Sequence, residues 1–349
     1  MGTAANPVLI DVNPDPAVVD ERAVDTPDPF VLAVDPKYCN PGSGAPRACY
    51  YAYTTQVFFN LTPVYRSSDL VHWEVAGYND PADGNPWPNG GAVRDSAPWA
   101  DSIGHWAPSV LPRRPSPTGA LDVVHYVMWY SAMSRAAGTA GLHCLGVAVA
   151  DTPDGPFVDT ATTPAYCQSS EGGTIDASPF VDTDGTAYLV YKTEGASSPD
   201  IPTRLWISRL SPDGRTLVPG TERLLLEVDR SAGSWEQPII EAPTLMRAPT
   251  GVLYLFFSAY YWETADYKVG VARCTTTVGP CTRVYQTPVL SSRGLMLGPG
   301  GQTPFVDAAG QWHLAFHAWA APNVGYPVGG SRFLRILPLT FPGGLPVVG

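Results

Sequence analysis

Three carboxylates stand just upstream of prolines that open apolar strands: Asp28 in DPFVLAVD, Asp176 in IDASPFVDTDG and Glu241 in IIEAPTLM. A lone acid in such a place ordinarily caps a turn through the neighbouring backbone. Three of them, in a chain with only 15% charged residues, point to one shared volume, because like charges are not gathered in a folded interior without a purpose. Clustered carboxylates repel one another, which raises at least one pKa and keeps a proton in place near neutral pH. The chemistry such a set supports is hydrolysis of a glycosidic bond, with a protonated acid for the leaving oxygen and a carboxylate to activate water. An inverting pair stands about 6.5–9.5 Å apart and a retaining pair about 5–5.5 Å.

The elements that must position these residues repeat along the chain. The strand-opening phrase recurs as APSVLPRR from Ala107, APTLMRAPTG from Ala242 and TPFVDAAG from Thr303. The marker prolines Pro29, Pro108, Pro179, Pro243 and Pro304 fall at intervals of 79, 71, 64 and 61 residues. Each is followed by an aromatic-rich strand: CYYAYTT, VVHYVMWYSA, YLVYK, VLYLFFSAY and WHLAFHAW. Five copies of a sheet-forming unit at a loose period predict an all-β fold, a five-bladed β-propeller. It is expected over residues 25–349, preceded by an extended, Pro- and Asp-rich arm over 1–24. The starts of the innermost strands converge on one end of the central channel, so Asp28, Trp106, Asp176, Glu241 and Gln302, just upstream of the five prolines, are expected to meet there.

Composition agrees. The 34 Gly and 37 Pro suit short strands joined by tight turns, and 44% apolar residues exclude disorder. A net charge of −11 argues against nucleic acid or anionic membranes as partners, and no run reaches transmembrane length. The cysteines at 39, 49, 144, 167, 274 and 281 offer no zinc spacing. They predict three local disulfides, Cys39–Cys49, Cys144–Cys167 and Cys274–Cys281, and hence an extracellular protein. MGTAANPVL lacks the basic and apolar regions of a signal peptide, and the chain stops at GLPVVG, too soon for a second domain.

Among the remaining residues, Trp106 is the better candidate for stacking on a sugar, whereas Trp73 and Trp206 read as strand packing. Arg293 and Arg332 read as surface residues. The Pro/Gly/Trp-rich stretch 78–103, with Trp87 and Trp99, is long and irregular enough to be a functional loop. Asn60-Leu61-Thr62 fits a glycosylation sequon.

DPFVL, WAPSV, IDASPF and IIEAPTLM, followed by VLYLFFSAYYWETADYKVGVA, resemble glycoside hydrolase family 43, whose members are five-bladed propellers. The likeness runs from about residue 25 to the end. It implies Asp28 as general base, Asp176 as the residue that orients the acid and tunes its pKa, and Glu241 as general acid, with inversion of configuration. Asp25 is the rival for the base; Asp28 is preferred because it directly precedes the strand-opening proline. Family members often carry GPGHN, with the His near an axial calcium. This chain has GPGGQ, with Gly301 at that position, so no metal and no required cofactor are expected. His317 in FHAW matches a second recurrent family histidine, and His317, Gln302 and Trp106 are the expected substrate-binding residues. The implied activity is release of a pentose, foremost α-L-arabinofuranose, from arabinose- or xylose-containing polysaccharide or oligosaccharide by a monomeric enzyme; β-xylosidase, arabinanase and a non-catalytic carbohydrate-binding propeller are the alternatives.

Overall fold

Side-chain alternation along the second strand of each repeat explains why the repeats close into a ring. On the strand His125–Met133, Tyr126, Met128 and Tyr130 pack with Tyr51 and Tyr53 of the repeat before, while Val127 and Trp129 pack with Leu189 and Tyr191 of the repeat after. Successive residues of a strand point to opposite faces, so each sheet is buried on both sides and its central strand reads as an unbroken apolar run. Five clusters result, one between each pair of neighbours. The last joins Phe305, Ala315 and Leu334 to Val31, Tyr50 and Ala52, returning the ring to its start. Each large apolar side chain fully buried in this way contributes about 1.5–3 kcal/mol.

The computed structural model describes residues 25–35, 49–57, 60–77, 91–113, 125–195 and 201–349. They form the expected five-bladed β-propeller of antiparallel sheets. Blade one holds β1 (Phe30–Val34), β2 (Cys49–Tyr53), β3 (Val64–Ser67) and β4 (Trp73–Ala76). Blade two holds β5 (Trp106–Arg113), β6 (His125–Met133) and β7 (His143–Ala150). Blade three holds β8 (Thr174–Val181), β9 (Ala187–Thr193), β10 (Arg204–Arg209) and β11 (Arg223–Glu227). Blade four holds β12 (Ile240–Arg247), β13 (Leu253–Ala259), β14 (Lys268–Cys274) and β15 (Cys281–Arg283), and blade five β16 (Met296–Val306), β17 (Trp312–Ala320), β18 (Arg332–Thr340) and β19 (Val347–Val348). The expected arm over 1–24 lies outside the described residues, as do Cys39 and Trp87.

Among the described residues, two of the three expected disulfides are seen, Cys144–Cys167 and Cys274–Cys281; Cys49 is disulfide-bonded as well. The expectation of a functional loop around Trp99 is corrected. Trp99 is 1% exposed, stacks on Tyr130 and donates from Nε1 to Asp159 Oδ2 at 3.1 Å, an oxygen that Tyr130 also reaches at 2.7 Å. Buried indole and phenol groups need acceptors, and Asp159 serves both from behind blade two. Trp73 and Trp206 lie on strands β4 and β10, as their packing roles require.

Blade five draws its four strands from the C-terminal part of the chain, and among the described residues no exchanged strand closes the ring. Two residues ahead of β1 do so instead. Asp25 accepts from the Arg332 N–H at 2.6 Å and from the Tyr326 hydroxyl at 2.7 Å. Thr26 Oγ1 donates to the Arg332 carbonyl at 3.2 Å and accepts from the Leu334 N–H at 2.6 Å. Replacing the hydroxyl with a methyl leaves the buried Leu334 N–H unsatisfied, at about 1–3 kcal/mol, while the Arg332 carbonyl keeps the Thr26 backbone N–H at 2.7 Å. Thr26→Val should therefore unfold at a lower urea concentration than the parent, by that amount in stability. An unchanged midpoint would show that this clasp does not hold the seam.

Candidate active site

Each inner strand opens with a residue in left-handed backbone: Asp28 (φ 50°), Ala107 (44°), Asp176 (57°), Ala242 (48°) and Gly301 (59°). In blades two to five, pairing with the second strand slips at this point, between Trp106 and Ser109, Ile175 and Ser178, Glu241 and Thr244, and Gly300 and Thr303. A non-glycine residue held in this region stores strain and tends to mark a functional site; Asp tolerates it better than most. The five residues line one axial depression. Asp28 and Asp176 therefore occupy equivalent places. Glu241 does not share them, contrary to the reading from proline spacing, since it stands one residue earlier, level with Trp106. The prolines mislead because Pro29 follows its bulge residue by one position and Pro179 by three.

The bulge turns the backbone N–H of its residue away from its own sheet, and the blade before supplies an acceptor. The Ala107 N–H goes to Thr55 Oγ1 at 2.8 Å, that of Asp176 to Ser131 Oγ at 3.1 Å, that of Gly301 to Ser258 Oγ at 2.9 Å and that of Asp28 to His317 Nδ1 at 3.0 Å. At the remaining junction the corresponding residue is Lys192, which has nothing to accept with. There the Ala242 N–H goes to Asp176 Oδ2 at 2.8 Å.

Each carboxyl consequently has its own surroundings. Asp28 takes a hydrogen bond from Thr55 Oγ1 at 2.8 Å, with an Arg332 guanidinium nitrogen 3.9 Å from Oδ2. Its side chain keeps 23% exposure, enough to meet a water. Glu241 accepts from Lys192 Nζ at 3.0 Å on Oε2 and from the Tyr267 hydroxyl at 2.8 Å on Oε1. Burial, and then the charge of Glu241, push Asp176 up to about 7 against the opposing pull of Lys192. Burial and the proximity of Glu241 hold Tyr267 well above the ordinary phenol value, so it remains a donor.

The other expected site residues divide. Trp106 is half-buried and stacks on His143 with centroids 3.6 Å apart, leaving an aromatic wall beside Ala107. Gln302 is 1% exposed, and its amide is engaged at both ends, accepting from Ser258 Oγ at 2.7 Å and donating to the Ala242 carbonyl at 2.7 Å. His317 has no exposed surface; its Nδ1 receives the Asp28 N–H and its ring stacks on Tyr267. Burial and the charge of Arg332 keep its pKa well below the ordinary imidazole value, which suits a neutral acceptor. Both residues thus act on the depression through Asp28 and the blade-four bulge, and direct sugar contact is not how they are placed. Arg332, read from sequence as a surface residue, is 5% exposed and lies over Trp262, 4.3 Å from the ring centroid. Arg293 is exposed as expected and bonds the Gly349 carbonyl. Asp25, the rival base, is 4% exposed and committed to β18. Lys192 and Tyr267 went unnoticed in the sequence, although Lys192 is a charge ending the apolar run AYLVYK.

Around Gly301 a Cβ would come within 2.6 Å of Asp28 Oδ1 and 2.7 Å of His317 Nδ1. No side chain, histidine included, fits there without displacing the catalytic-face groups. Three carbonyls around the axis already accept hydroxyls: Ala177 from Ser109, Gln302 from Thr244 and Pro29 from Thr303. These residues do not fit a histidine-anchored calcium.

The model of Glycosyl hydrolases family 43 matches residues 25–346. The chain belongs to this family. Among curated family relatives it is 26% identical over 292 residues to an arabinoxylan arabinofuranohydrolase of Bacillus subtilis (strain 168), a match over 78% of this chain and 51% of that protein. It is also 26% identical over 259 residues to an extracellular endo-α-(1→5)-L-arabinanase 2 of the same organism, covering 69% and 50%. The chain thus spans about half the length of the curated relatives it matches. Among solved structures, a thermostable family-43 glycoside hydrolase superposes with a TM-score of 0.74 at 24% identity, covering 93% of this chain and 92% of that one. An endo-1,4-β-xylanase from Bacteroides thetaiotaomicron VPI-5482 gives 0.69 at 26% identity, covering 93% and 94%.

A carboxyl whose pKa is raised on folding favours the folded state in its protonated form. That contribution is fully present below the ordinary carboxyl value of 3.8 and is lost as pH rises to about 7. Asp176→Asn cannot ionise and keeps an oxygen for the Ala242 N–H. It should melt higher than the parent at about pH 8, with the gap closing by about pH 4. A gap independent of pH, measured by calorimetry, would contradict the strained ionised state.

Proposed function

We propose that the chain is an inverting glycoside hydrolase that releases α-L-arabinofuranose from arabinose- or xylose-containing polysaccharide or oligosaccharide. The observation that carries this reading is the unequal setting of three acids near the propeller axis, Asp28 and Asp176 lining the axial depression and Glu241 adjoining it through Ala242. Asp28 retains access to solvent and rests on one hydroxyl and a distant guanidinium, the setting of a base that activates water. Glu241 is held on both oxygens by Lys192 and Tyr267, stands level with Trp106 on its own blade, and is assigned as the acid that protonates the leaving oxygen. Asp176 lies between them in the ring order and steadies the residue after Glu241. In the reaction, water attacks the anomeric carbon as Asp28 takes its proton, the glycosidic bond breaks, and Glu241 gives its proton to the departing oxygen. Trp106 offers a flat face to the sugar.

Arabinofuranose is favoured over xylose because the first relative is named for arabinofuranose release and because Gly301 replaces the histidine that many family members carry at the axis. We infer an extracellular monomer from the two disulfides and from the relative whose name includes that location. We also propose turnover without a resident metal, so dialysis against EDTA should leave the rate unchanged; loss of activity restored by calcium would overturn this.

Glu241→Gln should lose about 10²–10⁴-fold in turnover on substrates with poor leaving groups and much less on a nitrophenyl glycoside, whereas Asp28→Asn should suffer on both. NMR of the first-formed anomer should show inversion. Retention, or equal losses for both variants on both substrates, would contradict the assigned roles. A panel of nitrophenyl pentosides, with arabinoxylan and linear arabinan beside it, separates arabinofuranose release from xylosidase and endo-arabinanase action.

A further inference from the structure

Lys192 is 1% exposed, in a molecule where lysine burial needs a reason. Its place in the ring sharpens the question. The residues at its level on the other second strands, Thr55, Ser131, Ser258 and His317, all accept the N–H of the next blade's bulge. Lysine forfeits that bond and forces Asp176 to take it over. A residue that breaks the ring's own rule and then sits 3.0 Å from Glu241 Oε2 has a role at that carboxyl.

The charges around it suggest which. Glu241 faces it from β12, Asp176 from β8, and Glu194, beyond the end of β9, stands 3.9 Å away with 22% of its side chain exposed. Tyr267 donates to the other oxygen of Glu241 from the connection before β14. His143, at the start of β7, is 3.9 Å from Glu194 and is pushed down to about 4 by burial and then by Lys192, so it carries no charge at neutral pH. Across the depression, Arg332 on β18 faces Asp28 ahead of β1. Asp28, Asp176 and Glu241 can thus hold three negative charges against two buried cations; Arg332 also faces Asp25, whose carboxyl pKa is pushed up by burial, and Glu194 is partly solvated. Apart from Asp25 and Glu194, the set is neutral with one proton aboard.

We propose that Lys192 is a positioning residue for Glu241: it fixes the orientation of that carboxyl and, together with Arg332, limits the three-carboxyl site to a single proton, the one the leaving oxygen takes. This rests on Glu241 being the general acid. In the resting site both oxygens of Glu241 accept hydrogen bonds, and the proton of the pair is drawn to Asp176. During the step, the proton that Asp176 holds at rest passes to Glu241 and on to the departing oxygen, leaving Asp176 ionised; Asp28 gains one from water, and Lys192 keeps its own.

The test is the pH dependence of kcat/KM on a nitrophenyl arabinofuranoside. Removing a cation from beside a carboxyl raises its pKa by about 1–3 units, so Lys192→Met should move the alkaline limb upward by that much. Lys192→Arg, which keeps the charge, should leave the limb where it is while lowering the rate. A fall in kcat with both limbs unmoved would reduce Lys192 to packing and overturn the proposal. Should Lys192→Met not fold, Lys192→Gln is read in the same way. Asp176→Asn gives a second measurement with Lys192 in place: one carboxyl fewer should move the alkaline limb down, and an unmoved limb there also overturns the single-proton account. Absence of turnover by the parent protein on every glycoside would sink the hydrolase reading and this proposal with it, whereas parent turnover with unmoved limbs sinks the role of Lys192 alone.

Discussion

A backbone N–H that its own sheet cannot satisfy governs the centre of this molecule. Each inner strand begins with a left-handed residue whose N–H must be met from the neighbouring blade, since an unpaired buried donor costs about as much as a lost hydrogen bond. Thr55, Ser131, Ser258 and His317 meet that demand directly. The same groups then reach the chemistry: Thr55 donates to Asp28, and Ser258 holds Gln302. Structural necessity and site geometry are therefore one network, and the two bulge positions given to aspartate are also the two that line the axial depression as acids.

The fourth-blade junction departs from this scheme. With lysine where an acceptor belongs, the carboxylate of blade three both supports the backbone beside Glu241 and shares its field. The arrangement trades one ordinary backbone hydrogen bond for a buried ion pair. Such pairs are weak contributors to stability and persist where orientation or charge is needed. The strain at the four non-glycine left-handed residues and the like charges around the axis are held by the buried clusters between blades.

Much of the fold was legible in the sequence because a propeller blade is a local unit. The five proline-marked strands and the aromatic strands after them gave blade number and order, and their convergence brought Asp28 and Asp176 to the axis. What spacing could not supply was depth. Pro29 and Pro179 lie at different distances from their bulges, so the acids looked equivalent when Glu241 is one residue out of step. Arg332 and His317 carry polar heads that sequence assigns to the surface or to ligand, yet the ring closure buries both. Lys192 was hidden because one lysine at a strand end reads as snorkelling; aligning TTQ, YSA, YKT, FSA and FHA by strand register exposes it as the odd member of the middle column.

The seam between the first and last blades has a consequence for how the protein is made. Asp28 is among the first described residues to leave the ribosome, and His317, which receives its N–H, follows 289 residues later. Arg332 and the β18 backbone that anchors Asp25 and Thr26 come later still. The proposed base therefore spends synthesis without the neighbours that fix it, and four blades can stack before the axial depression has a complete wall. Those neighbours arrive together, when the fifth blade docks on the first, so a nascent chain truncated before that blade would lack His317 and Arg332 beside Asp28.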